Sequence, residues 1–231
     1  MVNITISKEN YLKAIAEAQS EGETVISASL ARWLNVSPPA VTAAIKRLKR
    51  DELIHVADQG EITLTPQGQA IANRVLNRHH LIERMLAEIF GMEWYKVHDE
   101  AEQLEHAVSE DFERKLQERL GPGDIECPHG NRVGLDSAEH RRARGWRPLD
   151  ECSSTESVTV RSVYERDRKL LEYLNGLGVC PGSTLEVIAR NYDDTITLRI
   201  ADKSIPLGRA AASKVWVSPS DSRAPKSSRA S

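Results

Sequence analysis

The chain has 231 residues, 40% hydrophobic and 28% charged, a globular composition with room for two or three small domains. No apolar run reaches the roughly 20 residues that span a bilayer, no secretory signal opens the chain, and three widely spaced cysteines make no disulfide framework. The net charge of −3 excludes a polycation, so nucleic-acid binding would need a local basic patch, and a cytoplasmic location is expected.

From Ser7 to Gln19, Tyr11, Leu12, Ile15 and Ala18 fall on one helical stripe that stops at Gly22. A short helix follows over Ser27 to Leu34. A third starts after Ser37, a good N-cap, with Pro38 in the first turn where its missing N–H costs nothing. Leu53–Val56 and Glu61–Leu64 flank Asp58-Gln59-Gly60, which is a hairpin signal. Two short helices, a tight turn and a two-stranded wing predict a winged helix-turn-helix.

Thr65-Pro66 opens a long helix expected to reach about Phe90, with further helices from about Trp94 to Val108 and from Ser109 to Leu120. Met85, Leu86, Ile89, Phe90, Leu104, Val108, Phe112 and Leu116 make apolar stripes that call for a second subunit. Regularity is lost after Glu126. Four alternating stretches, at Val158–Val160, Leu185–Ile188, Thr195–Ile200 and Lys214–Val217, then surround one helix from Lys169 to Leu177, as in a small SH3-like barrel. The fold class expected is mainly α with a small β part.

Lys46, Arg47, Lys49 and Arg50 close the third helix, beside the Ser37-Pro38-Pro39-Ala40 start. In a helix-turn-helix the start of the second helix meets base edges while flanking cations hold phosphates. Ser37, Pro38, Pro39, Ala40, Thr42, Lys46, Arg47 and Arg50 are therefore the candidate DNA-binding residues, with shape readout favoured over bidentate base contacts.

His79 and Glu83, four apart, stand on one helical face, and His98, Glu102, Glu105 and His106 share an arc of about 100° on the next helix. Imidazoles and carboxylates without thiolate suit manganese or ferrous iron rather than a structural zinc.

The stretch Val97-His98-Asp99-Glu100-Ala101-Glu102-Gln103-Leu104-Glu105-His106-Ala107-Val108-Ser109 resembles the core signature of the diphtheria toxin repressor family of iron- and manganese-dependent regulators. Arg78–Arg84 matches the preceding helix, Ser37–Thr42 the recognition helix, Thr65–Gly68 the entry to the dimerisation helix, and Cys127-Pro128-His129-Gly130-Asn131 the loop closing the second domain. The resemblance runs from about Asn3 to Val217 and includes the third domain of the longer members.

It implies a metal-dependent repressor of metal-uptake genes rather than an enzyme, a homodimer on a palindromic operator, with no membrane and no small-molecule substrate. Two ions per subunit are implied, one at Asn10, Glu102, Glu105 and His106 and one at His79, Glu83 and His98, with Glu165 as a third-domain ligand. Glutamate rather than cysteine at Glu102 points to Mn2+, with Fe2+ the alternative. The domains expected are a winged head (1–65), a helical metal-binding and dimerisation domain (66–135), a linker (136–154), an SH3-like, FeoA-like domain (155–217) and a disordered tail (218–231). A dimetal carboxylate enzyme would want Glu-x-x-His on two helices, and the ligand helix has none. A metal-independent winged-helix regulator is the other rival.

Overall fold

The computed structural model describes residues 4–121, 126–132 and 136–220. Thr5 caps α1 (Ile6–Ser20), and α2 (Ser27–Trp33) and α3 (Pro38–Arg50) follow. Pro38 and Pro39 occupy the first turn of α3, so two of the four backbone donors that a helix start leaves open are absent there. The wing is an antiparallel pair, β1 (Ile54–Val56) and β2 (Ile62–Leu64), with His55 opposite Thr63. Leu12, Ile15, Leu30, Val41, Leu48, Leu53 and Ile62 form the sealed core of this head.

Thr65 joins the head to α4 (Pro66–Arg84): its hydroxyl donates to the Glu52 carbonyl and accepts from the Gly68 amide. Gly68 is required by contact, since a Cβ there would lie 2.0 Å from the Leu53 carbonyl oxygen. After Arg84 the helix widens into a π-turn over Met85–Ile89 before Gly91 reverses the chain, so the expected single helix to Phe90 changes its winding halfway.

The next helix is shorter than its periodicity suggested. α5 runs Val97–Leu104, with Trp94–Lys96 in a turn, and Glu105 and His106 lie in the turn beyond its end. Ser109 then caps α6 (Glu110–Leu120) through the Phe112 amide, which explains why α5 does not continue. The apolar stripes divide: Met85, Leu86 and Leu116 are buried in the chain's own second core with Leu81, Ile82 and Val97. Ile89, Phe90, Leu104 and Phe112 remain exposed.

The chain separates into two compact units, Met1–Arg141 and Arg142–Ser231. Residues 136–154, read above as a linker, carry α7 (Ala138–Ala143), β3 (Arg147–Pro148) and a 3-10 turn (Leu149–Glu151). In the second unit β3 joins β4 (Glu156–Val163), β5 (Thr184–Arg190), β6 (Thr195–Ile200), β7 (Lys203–Gly208) and β8 (Val215–Pro219) in an antiparallel sheet of order β3-β8-β4-β5-β6-β7. Here α8 (Arg168–Leu177), capped by Asp167 and ended by left-handed Gly178, buries Leu171 and Leu174, and α9 (Arg209–Ala212) follows β7. β7 escaped notice because Pro206 interrupts its pattern; it is tolerated on an edge strand. Ser218 and Pro219, assigned above to the tail, belong to β8, and the tail from residue 221 lies outside the described residues. No helix among the described residues is long and apolar enough to cross a membrane.

Candidate metal centre and nucleic-acid interface

Helical spacing places His79 above Glu83 on α4, and His98 enters from the start of α5. His79 Nε2 lies 2.9 Å from Glu83 Oε1 and 3.0 Å from His98 Nδ1, and the last two atoms are 3.1 Å apart. All three side chains are buried, so water is kept from the triangle they form. The other ring nitrogen, His79 Nδ1, lies 2.7 Å from Glu105 Oε2. In the tautomer that donates Nδ1–H to Glu105, His79 Nε2 turns a lone pair toward the Glu83 carboxylate, and a cation between them would offset that repulsion. In the other, Nε2–H donates to Glu83 and Nδ1 accepts from Lys13. A divalent ion would be held here by two imidazole nitrogens and a carboxylate oxygen, donors that suit a borderline or hard cation. The donor set therefore fits a divalent metal, and Glu105 plays the outer carboxylate that orients a ligating histidine.

A second cluster joins the head to the body. His106 Nε2 meets Asn10 Oδ1 of α1 at 2.6 Å, His106 Nδ1 meets Glu9 Oε2 at 3.0 Å, and Glu105 Oε1 stands 3.4 Å from His106 Nε2. One carboxylate, Glu105, thus touches both clusters. Glu102 is the most open of the expected ligands, its side chain 43% exposed and its carboxylate 3.6 Å from His98 Nε2. Glu165 lies between β4 and α8, in the second unit.

Besides Glu9, four residues not singled out from the sequence enter these clusters. His129 Nδ1 stands 3.4 Å from Glu83 Oε2, and Cys127 Sγ lies 3.7 Å from the same His129 nitrogen. His80, Glu83 and Cys127 each bring a donor atom within 4.8 Å of the others. Lys13 reaches from α1 to within 2.8 Å of Glu105 Oε2 and 3.1 Å of His79 Nδ1. Burial pushes the Glu83 carboxyl up, but the charges and hydrogen bonds of His129 and His79 outweigh it and hold the group well below its ordinary range. Burial likewise opposes the Glu105 carboxylate, and His79 and Lys13 overcome it. Lys13 is disfavoured by burial yet ends above the usual lysine value through Glu17 and Glu105.

On α3 the division of faces is clean. Val41, Ala44 and Leu48 are buried, while Ser37, Pro38, Pro39, Ala40, Thr42, Lys46, Arg47 and Arg50 are all exposed. The Thr42 hydroxyl donates to the Pro38 carbonyl, and Arg50 pairs with Asp51 at 3.3 Å. The helix start and its cationic end therefore lie on the same open side as a groove-reading helix requires.

A winged reading head, a helical body with a buried His/Glu cluster and an SH3-like sheet are the parts of a metal-binding transcription regulator. Residues 3–61 match the family model of the iron dependent repressor N-terminal DNA binding domain, 65–133 that of the iron dependent repressor metal binding and dimerisation domain, and 147–219 the FeoA domain. The diphtheria toxin repressor of Corynebacterium glutamicum is 33% identical over 199 residues, covering 81% of this chain and 86% of its own. The iron-dependent repressor IdeR of Mycobacterium tuberculosis is 34% identical over 203 residues, covering 81% and 86%. Among solved structures, a manganese-dependent transcriptional repressor in complex with manganese superposes with a TM-score of 0.79 at 31% identity, over 92% of this chain and 99% of that one. The chain belongs to the iron-dependent repressor family of diphtheria toxin repressor and its relatives, which are metal-dependent transcriptional repressors and not enzymes.

Proposed function

We propose that the protein is a manganese-dependent repressor of metal-uptake genes, acting in the cytoplasm as a homodimer on a palindromic operator. The observation that carries this reading is the junction of Asn10, on the first helix of the reading head, with His106 of the helical body at 2.6 Å. Two ions per subunit are assigned: one to His79, Glu83 and His98, with His129 and Cys127 beside them, and one to Asn10, Glu102, Glu105 and His106. A divalent cation supplies, when bound, the positive charge that lets these carboxylates and lone pairs stay together. The residues do the rest: His79 and Glu83 hold α4 against α5, and His106 fixes the turn after α5 to α1. Heads held about one helical turn of DNA apart, roughly 34 Å, can enter successive major grooves. Carboxylate rather than thiolate at Glu102 supports manganese. The name of the mycobacterial relative, iron-dependent repressor IdeR, favours ferrous iron as the second reading. Anaerobic DNA-binding titrations with each ion test both. An equal response to magnesium, or none to manganese and iron, would overturn the metal reading.

Two further outcomes are expected. Arg47→Ala and Arg50→Ala should each weaken binding to every DNA sequence and lower the salt slope by about 1, because these cations are assigned to phosphates. Gel shifts that leave the slope at its wild-type value would remove the docking face. Light scattering should give a dimer, with exposed Ile89 and Leu104 at its interface. Ile89→Glu with Leu104→Glu should yield monomers that still fold; a dimer surviving both changes would place the interface elsewhere.

A further inference from the structure

Lys13 is buried on α1, where its sequence neighbours Leu12, Ala14 and Ile15 are sealed into the core. Lysine is almost never fully buried unless paired. Its side chain is 5% exposed and that of Glu105 3%, and the ammonium and the carboxylate meet at 2.8 Å. The same ammonium stands 3.1 Å from His79 Nδ1, between the two candidate metal clusters. Glu9, Asn10, Lys13 and Glu17 share one stripe of α1, at the helical spacing that brings them to the same side. Glu105 is the group that both clusters share, since its Oε2 faces His79 and Lys13 while its Oε1 faces His106.

We propose that Lys13 is an internal competing cation, a positioning residue that neutralises Glu105 and sets the metal concentration at which the two clusters fill. The inference rests on the metal reading above. A buried carboxylate needs a positive partner. With Lys13 present, part of that need is met before any divalent ion arrives, and an arriving ion meets a like charge nearby. Both effects weaken metal binding. The ammonium also fixes where the shared carboxylate points, holding Glu105 Oε2 beside His79 Nδ1. The result is a protein that holds its fold at low metal and responds only above a threshold.

The test compares wild type, Lys13→Met, Lys13→Arg and the double variant Lys13→Met with Glu105→Gln. Free Mn2+ is read by electron paramagnetic resonance during titration, and Tm is measured in chelator. Lys13→Met should bind Mn2+ tighter by about 5- to 150-fold, the span of ordinary site-to-site coupling. Its metal-free Tm should fall by roughly 6–20 °C, because one partner of a buried pair is lost. Lys13→Arg should stay near wild type in both. The double variant should recover the metal-free Tm without the gain in affinity. If Lys13→Met folds only with metal, rescue by Mn2+ and not by Mg2+ supports the proposal, and rescue by neither counts against it. Binding by Lys13→Met equal to or weaker than wild type overturns the proposal. A wild type that binds no Mn2+ overturns the metal reading itself.

Discussion

His106→Ala is expected to abolish the dependence of operator binding on manganese while leaving the fold intact. His106 sits in the turn after α5 and touches both Asn10 and Glu9 of α1, so it joins the body to the reading head beside the Lys13–Glu105 pair. It is only partly buried, and Ala in its place leaves no charge stranded in the core. The metal response of the wild type should be about 5- to 150-fold, corresponding to a coupling of ~1–3 kcal/mol. In His106→Ala that ratio should fall to about one. Glu105→Ala should lose the response too, but with a second consequence. It strands the Lys13 ammonium, at a cost of about 3–5 kcal/mol for breaking a buried pair, and so lowers Tm as well. His98→Ala should weaken the response less completely if its cluster supports the other. The measurement is fluorescence anisotropy of labelled operator DNA against Mn2+, with thermal melts alongside. A His106→Ala protein that responds to manganese as wild type does would remove the switch from this junction.

Much of this was legible because helices with one buried stripe advertise it. Leu12 and Ile15 on α1, and Val41 and Leu48 on α3, were readable by period alone, and the pairing of His79 with Glu83 followed from their spacing on one helix. What was hidden depends on contacts between distant segments. Glu9 meets His106 across 97 positions and Lys13 meets Glu105 across 92, and no local pattern encodes such a meeting. A lysine flanked on both sides by core residues was the one available hint of a buried charge. His129 and Cys127 sit in a segment without regular structure, where periodicity says nothing and only burial reveals a role. The early end of α5 was hidden for another reason: the pattern of His98, Glu102 and Glu105 continues as if helical, while Ser109 captures the Phe112 amide and starts a new helix.

Glu102→Cys is expected to move activation from manganese toward iron, cobalt or nickel. Carboxylate oxygen is a hard donor that accommodates manganese, whereas thiolate favours softer and later metals. The position allows the exchange to be read cleanly. Glu102 lies on the last turn of α5 with its side chain 43% exposed, so Cys there opens no core cavity, and its carboxylate stands 3.6 Å from His98 Nε2. The neighbouring His98, Glu105 and His106 are untouched, and any change in metal order reports the donor at this one position. In the assigned set Asn10 brings an oxygen without charge, and the exchange at Glu102 keeps an anionic donor but replaces a hard oxygen with a soft sulfur, leaving Glu105 as the one hard anionic ligand beside His106. That should weaken manganese most, by roughly 10- to 100-fold, the scale on which even outer-shell changes act. Asn10→Asp in the same background should restore part of the manganese response by returning a negative oxygen ligand. The experiment is a set of anaerobic DNA-binding titrations with manganese, ferrous iron, cobalt and nickel for wild type, Glu102→Cys and Glu102→Cys with Asn10→Asp. An unchanged metal order in Glu102→Cys would mean that Glu102 does not touch the activating ion.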